Sequence, residues 1–357
     1  MNIKNFSLAE LTAAVVPLGA SAFVARKVFA AVFAHHVQSL EEISRAPQVP
    51  RAVASWLRKE VQLPSLTVVD RRRAADGFVK YLFVSPSGGE FEAVRIPLFD
   101  SKYVVCISSQ IGCALACAFC QTGKMGFRRN LATWEMVDQV MQIRAEADRP
   151  VRGVVFMGMG EPLLNYNASL GAAGILSHPA GLAISGKAIS FSTAGHVPGI
   201  RRYLREDAPY RLVFSLTSAI PEKRAKVMPI EKTYPLPELV DAIRDYALQR
   251  RERAMLAYVA ISGFNTGDED AEALANLLEG IPVKIDLIDV TDPTGEFQPP
   301  SLEELGRFRS ALQRLRAPIA RRYSGGKEIQ AACGTLAATR QGGISVSATT
   351  MSQQHLA

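Results

Sequence analysis

The sequence predicts an α/β protein: an open, partial (β/α) barrel of about six units, a small helical domain in front of it, and a β-hairpin or meander linking the two. Three observations carry this. Beyond residue 120, apolar runs of strand length alternate with segments of helical period, the pattern of a parallel sheet with crossover helices. Between residues 66 and 105 the runs are shorter and alternate, as in antiparallel strands. Ahead of them, the signals are helical only.

In chain order, Ser7 and Glu10 form a capping box before an apolar run. Phe23, Lys27 and residues 30–33 continue a helical period after a turn at Pro17 and Gly19, and Pro47 and Pro50 set off a last helix over 53–59. Phe29, Phe33 and Trp56 are expected in the core of this 1–62 domain, with nucleotide stacking the lesser reading. The linking region, 63–105, holds strands at 66–70, 78–84 and 91–96, with turns at 75–77 and 85–89. In the main domain, 106–339, strands are expected at 154–157, 188–192, 211–216, 255–261 and 283–288. Helices are expected at 133–147, 167–176, 236–250 and 268–278, with a last one opening at Ser301, where Glu304 completes a second capping box. Sites in such barrels lie at the carboxyl ends of the strands. The tail, 340–357, is rich in Gly, Ser, Thr and Gln and is expected to be disordered.

Composition narrows the class. The 357 residues are 48% hydrophobic, enough for a large core. No apolar stretch reaches the roughly 18 residues of a spanning helix, so a soluble protein without a membrane partner is expected. Four of the five cysteines fall within fifteen residues, which does not resemble a secreted disulfide framework and favours the cytoplasm. The net charge of +7, with arginines grouped at 71–73, 128–129, 201–202, 250–251 and 321–322, fits a folded basic surface for a polyanion. Each group alone could be an ordinary solvated face.

Cys113, Cys117 and Cys120 stand at C-x-x-x-C-x-x-C spacing. A cubane [4Fe-4S] cluster has four irons, so three thiolates leave one iron open for a non-protein ligand. S-adenosylmethionine fits that opening through its amino and carboxylate groups, and an electron passed to its sulfonium releases a 5'-deoxyadenosyl radical. A zinc site would need a fourth ligand nearby, and the nearest downstream histidine is His178. Inert buried cysteines are the remaining alternative.

Other motifs fall where strands should end. In Gly158-Met159-Gly160-Glu161-Pro162 the glycines allow close backbone approach to an amino acid group, and Glu161 can accept from its ammonium; a plain turn with a capping Glu is the competing reading. The hydroxyls of Ser192-Thr193-Ala194-Gly195 and Ser215-Leu216-Thr217 can bond a carboxylate or ribose, or cap the helices that follow.

The block Cys106-Ile107-Ser108-Ser109-Gln110-Ile111-Gly112-Cys113-Ala114-Leu115-Ala116-Cys117-Ala118-Phe119-Cys120, with Gly126-Phe127 and Arg129-Asn130-Leu131, resembles the radical SAM adenosine methyltransferases of the RlmN/Cfr type. So do Phe156-Met157-Gly158-Met159-Gly160-Glu161-Pro162-Leu163 and Ala331-Ala332-Cys333-Gly334, in the same order and over nearly the whole chain. The resemblance implies a radical SAM barrel, a [4Fe-4S] cluster and two S-adenosylmethionine molecules per turnover. It implies that one molecule methylates Cys333 and that the second yields the radical that takes a hydrogen atom from the S-methyl group. The resulting methylene radical adds to carbon 2 or 8 of adenine, and C2 is the expected carbon. Cys106 then releases the product as a Cys106–Cys333 disulfide, and Glu92 matches the carboxylate that removes the adduct proton. Taken alone, Cys333 reads as a lone buried thiol, Cys106 as a strand residue and Glu92 as a solvent-facing strand carboxylate beside Glu90.

By the same resemblance, Gly160, Glu161, Ser192, Ser215, Leu216, Thr217 and Asp292 surround S-adenosylmethionine. Three positions depart from the family pattern: Thr217 stands where His is usual, Asp292 of Asp292-Pro293 where Asn is usual, and Ser262 where Asp is usual. The implied partners are ribosomal or transfer RNA, a one-electron donor such as flavodoxin, and a thiol reductant, with the enzyme a monomer. Two other readings stand beside this one. One is a radical SAM methylase of the same descent acting on another nucleotide or a small heteroaromatic compound. The other is a non-enzymatic RNA-binding or redox-sensing iron–sulfur protein, for which Cys106 and Cys333 would have no use.

Overall fold

The computed structural model describes residues 1–99 and 101–338; the tail expected to be disordered lies outside the described residues. The chain begins with four helices, α1 (Leu8–Val15), α2 (Ala22–Phe33), α3 (Leu40–Ser44) and α4 (Arg51–Glu60). The capping box of α1 forms as the sequence indicates: Glu10 N donates to Ser7 Oγ, and Ser7 N donates back to the Glu10 carboxylate. Phe29, Phe33 and Trp56 are buried and join the same core as the main domain.

Four strands follow, β1 (Thr67–Arg73), β2 (Val79–Val84), β3 (Glu90–Leu98) and β4 (Lys102–Cys106). A short pair, β5 (Gln110–Ile111) and β6 (Arg129–Asn130), brackets a loop containing α5 (Gln121–Lys124). Strands and helices then alternate: α6 (Thr133–Ala145), β7 (Val151–Phe156), α7 (Tyr166–Ser177), β8 (Ile189–Thr193), α8 (Val197–Arg205) and β9 (Arg211–Ser215). The remainder is α9 (Pro221–Val227), α10 (Leu236–Arg250), β10 (Ala254–Ala260), α11 (Asp268–Leu277), β11 (Val283–Asp289), α12 (Leu302–Ala311) and β12 (Ile319–Arg322).

Ten of these strands form one sheet in the order β1-β2-β3-β4-β7-β8-β9-β10-β11-β12. The pairings from β1 to β4 are antiparallel and all later ones parallel. The region expected to link two domains is therefore continuous with the barrel sheet, and β4 is its first parallel strand. The sequence reading missed β4 and β12: residues 102–106 look like the end of the meander, and Ile319–Arg322 is short and closes on two arginines. It also missed α8, which opens on Val-Pro-Gly and looks like a turn, and α9, whose Pro-Glu-Lys-Arg run carries no apolar stripe.

Register decides what faces the barrel interior, because paired residues share a face and the side-chain period is two. Glu92 lies two residues from Val94, which pairs with both Lys80 and Cys106; Cys106 pairs with Val155, and Val155 with Ser190. From Ser192 the same face runs through Val213, Ser215 and Ala257 to Asp286, Ile288 and Arg322. The opposite face carries Phe156, Phe191, Phe214, Leu256 and Leu287, all fully buried, and Phe156 stacks on Phe191 at 4.2 Å. Burying each such ring contributes about 1.5–3 kcal/mol.

The curl of the sheet brings the Arg322 guanidinium of β12 to 3.6 Å from Met157 Sδ at the end of β7. The barrel stays open, since no backbone ladder joins β12 to β1 among the described residues. Side chains bridge that gap. Tyr323 Oη and Gly326 N donate to Asp76 in the β1–β2 turn, and Ala75 N donates to Glu328.

The helical domain is fastened to the barrel by a buried ion pair, Lys4 Nζ to Asp138 of α6 at 2.5 Å. Leu66 N also donates to Asp138. Replacing Lys4 by Met leaves a buried carboxylate without its counter-charge, and urea unfolding should show a loss on the order of 3 kcal/mol.

Candidate active site

The loop after β4 is clamped before it reaches the cysteine motif. Ser108 Oγ donates to Glu92 O at 2.5 Å and accepts from Met159 N, while Gln139 of α6 bonds both the N–H and the carbonyl of Ser108. Asn165 Nδ2 holds Ser109 O and Leu131 O, and Gln110 Oε1 accepts from Glu161 N. At Gly112, φ is +71° and a Cβ would lie 1.7 Å from Gly126 O, so only glycine permits this crossing. Cys113 N donates to that same carbonyl.

The loop so closed presents Cys113, Cys117 and Cys120, all half-buried free thiols. Burial pushes the Cys113 thiol up to about 11, and Cys120 adds to the shift. Cys117 is raised further, by burial and then by Cys120 and Cys113, with Arg224 opposing. Thiols that raise one another in this way are close together and call for a cation to become thiolates. Among the described residues no group of three His, Cys, Asp or Glu side chains is placed to hold one metal ion. A cubane with three protein thiolates takes one on each of three irons and leaves the fourth open. The three cysteines fit that group.

The strand ends stand beside this loop. Gly160 has φ +96°, and a Cβ there would meet the Gln110 side chain at 2.5 Å. Glu161 is buried, and its carboxylate accepts from Ala194 N at 2.8 Å and Leu163 N at 3.1 Å, tying the end of β7 to the end of β8. Burial nevertheless pushes it up to about 7, and its charge acts on both Cys113 and Cys117. Ser192 Oγ and Ser215 Oγ lie 3.3 Å apart on the inner face. Leu216 O receives Arg224 Nε. Thr217 sits at φ +61° with its Oγ1 buried and unpartnered, a polar atom that a ligand could satisfy.

Two of the family departures serve local bonds. Asp292 accepts from Thr294 N, Phe297 N and Gln121 Nε2, with Lys124 at 3.9 Å. Burial acts to raise its carboxyl, but the Thr294 and Phe297 bonds and the Lys124 charge outweigh it and hold the group below the usual range. Ser262 donates to Glu304 at 2.7 Å. Glu304, expected only as a helix cap, also receives Gly263 N and Thr266 Oγ1.

Cys106, Cys333 and Glu92 converge on one return loop. Cys333 is exposed, and its N–H donates to Ser324 Oγ. Gly334 O accepts from Gln121 N at 2.7 Å, Leu336 O from Thr122 Oγ1 at 2.7 Å, and Ala337 N donates to Glu92 Oε2 at 3.0 Å. Cys106 is buried at the end of β4; burial and then Cys333 push its thiol up to about 12, while Arg322 acts in the opposite direction. Glu92 is not the solvent-facing carboxylate that the Glu90, Glu92 alternation permits. It is fully buried, because the β2–β3 register turns it inward and residues 333–337 cover it.

Sequence reasoning missed Lys80, 3.0 Å from Glu92; Arg224, buried and bonded to Glu231, Leu216 O and Ala194 O; and Arg322. Lys80 left a signal as the single charge inside the run Val79–Val84, and Arg322 was read only as part of a basic surface.

This fold, with a three-thiol loop at the strand ends, defines a radical SAM enzyme, and a family model described as the radical SAM superfamily matches residues 107–278. A "probable RNA methyltransferase" of Myxococcus xanthus (strain DK1622) is 69% identical over 343 residues, covering 96% of each chain. The "dual-specificity RNA methyltransferase RlmN" of Syntrophobacter fumaroxidans is 41% identical over 339 residues, 94% of this chain and 98% of that protein. The crystal structure of a radical SAM methyltransferase from Sphaerobacter thermophilus is similar at a TM-score of 0.87 and 35% identity, covering 95% of this chain and 100% of that one. The chain belongs to the RlmN/Cfr-type radical SAM methyltransferase family.

Replacing Cys113, Cys117 or Cys120 by Ala should abolish bound iron and its visible absorption after anaerobic reconstitution, whereas Cys106→Ala and Cys333→Ala should retain both. Glu161 adds a pH test. Its folded value lies above its unfolded one, so its contribution to stability is full below about 4.5 and is lost as pH rises through about 7. Urea titrations of the metal-free protein should show that decline, and Glu161→Gln should flatten it.

Proposed function

We propose that this enzyme methylates an adenine ring carbon of RNA, C2 in preference to C8, by way of S-methylated Cys333. One observation carries the reading. The loop that holds Cys333 bonds both the segment after Cys120 and the carboxylate of Glu92, with Cys106 as the electrostatic neighbour of its thiol. The names of the relatives, RNA methyltransferases, support RNA as substrate, as does the net charge of +7.

Cys113, Cys117 and Cys120 would hold a [4Fe-4S] cluster, and Gly160, Glu161, Ser192, Ser215, Leu216, Thr217 and Asp292 would flank S-adenosylmethionine. Bound together, these groups supply a 5'-deoxyadenosyl radical. The chain's own residues do the rest. Cys333, exposed on its loop, carries the methyl group to the flipped base. Glu92 receives the proton lost from the methylated ring carbon. Cys106, as a thiolate, attacks the Cys333 sulfur, breaking the bond to the product carbon and forming a Cys106–Cys333 disulfide; the bond pair stays on that carbon, which takes up a proton to become the methyl group, and the adduct's one surplus electron would be accepted by the iron–sulfur cluster. This bridge would form in turnover, and a thiol reductant would reopen it. Arg322 assists Cys106, whose buried thiol must lose its proton to react.

Two S-adenosylmethionine molecules are consumed per cycle, one for the methyl group and one for the radical. A flavodoxin-like donor in the cytoplasm would deliver the electron, and the enzyme would act as a monomer. Among the described residues no helix is long and apolar enough to cross a membrane. Asp292 and Ser262 spend their polar atoms on neighbouring protein groups, so those two departures need not alter the substrate.

Nucleoside mass spectrometry of ribosomal and transfer RNA, with and without the gene, should show loss of 2-methyladenosine. An unchanged profile rejects RNA as substrate, and loss of 8-methyladenosine instead corrects the carbon. Cys106→Ala should trap the protein covalently on its RNA, visible as a nuclease-sensitive band shift; normal multiple turnover would remove Cys106 from the mechanism.

A further inference from the structure

We propose that Lys80 is the positioning residue for Glu92: it keeps the buried carboxylate ionised and aimed while the 333–337 loop closes over it. This rests on the proposed function, in which Glu92 is the base.

Lys80 occupies an inward position of β2, diagonal to Glu92 across the β2–β3 ladder. Such diagonal neighbours on one face are within reach of long side chains. Lys80 is 3% exposed and Glu92 is fully buried, and the ammonium lies 3.0 Å from Glu92 Oε1. Neither atom has a hydrogen-bond partner of regular geometry among the described residues, so the ion pair with each other is the polar contact they have. The other carboxylate oxygen, Oε2, is taken by Ala337 N at 3.0 Å. The two contacts fix both oxygens. One comes from the sheet and the other from the loop that carries the methyl group.

Charge supplies the reason. A buried carboxylate with no counter-charge takes up a proton, and a neutral carboxyl cannot act as a base. Burial lowers the Lys80 ammonium from its usual value, with Glu92 acting in the opposite direction. The other charges acting on Lys80 come from β1, where Arg72 and Asp70 pair at 2.9 Å and act on it with opposite sign. Glu92 is therefore the charge that answers Lys80.

The test uses the reconstituted full-length enzyme with Lys80→Met, Lys80→Arg and Glu92→Gln. In Lys80→Met, methylation of Cys333 and formation of 5'-deoxyadenosine should proceed as in the wild type, because neither uses Glu92. RNA methylation should fall about 100-fold, the scale of a lost general base. The acid limb of its pH–rate profile should move to higher pH, and Lys80→Arg should restore part of the rate. Difference infrared spectroscopy without RNA should show a protonated carboxyl band in Lys80→Met at neutral pH that disappears when Glu92→Gln is added.

Wild-type rate and pH profile in Lys80→Met would overturn the assignment. So would equal loss of Cys333 methylation, which would mark Lys80 as merely structural. The infrared band separates this inference from the substrate reading. If the wild type fails to methylate RNA but the band appears, the pairing stands and the substrate is wrong; if RNA is methylated and no band appears, the pairing is wrong.

Discussion

The return of the chain after β12 is the constraint on which the site depends. An open sheet has two free edges, and here residues 323–328 tie the last strand to the β1–β2 turn through Asp76 and Glu328. That closure delivers residues 333–337 to the mouth of the barrel, where they bond Gln121 and Thr122 on one side and Glu92 on the other. Without it, Cys333 would be an exposed thiol far from anything it could serve. With it, the three-cysteine loop, Cys333, Cys106 and Glu92 meet at one end of the barrel, though they come from four separate stretches of chain.

Electrostatics in that opening favours neutral or metal-bound states over free anions. Burial raises Cys106, Cys113 and Cys117, and Glu161 with them. Few cations oppose this: Arg224 acts on Cys117, Arg322 on Cys106 and Lys80 on Glu92. Cys106, Cys117 and Glu92 thus each face one cation, and the iron cluster would be the counter-charge of the thiol triad as a whole. Such sparing use of charge suits radical chemistry, where a dry, weakly polar cavity protects the reactive carbon from side reactions.

Much of this was legible in the sequence, and the limits have physical causes. The thiol triad and the α1 capping box could be read because both signals are local in sequence: the box lies within four residues and the triad within eight. The strand–helix alternation was equally plain, except where Pro198 and Gly199 disguised α8 as a turn and where β12 ended on charge. The orientation of Glu92 was not legible. Its alternation with Glu90 allows either face, and only the register with β2 and the cover of residues 333–337 decide between them. Lys80 was lost for the same reason, since a lysine in a strand reads as an edge or a snorkelling side chain until its diagonal neighbour is known. The pairing of Cys106 with Cys333, residues at opposite ends of the main domain, rests on resemblance, because a contact between distant stretches of chain leaves no local pattern.

In the proposed reaction Cys333, and no other thiol of the chain, accepts a methyl group. Anaerobic incubation of the reconstituted enzyme with methyl-labelled S-adenosylmethionine, followed by peptide mass spectrometry, tests it most directly. The label should appear on Cys333 in the wild type and in Cys106→Ala, and be absent from Cys333→Ala. Label on Cys106 or on a cysteine of the triad, or a wild-type protein left unlabelled, would contradict the account.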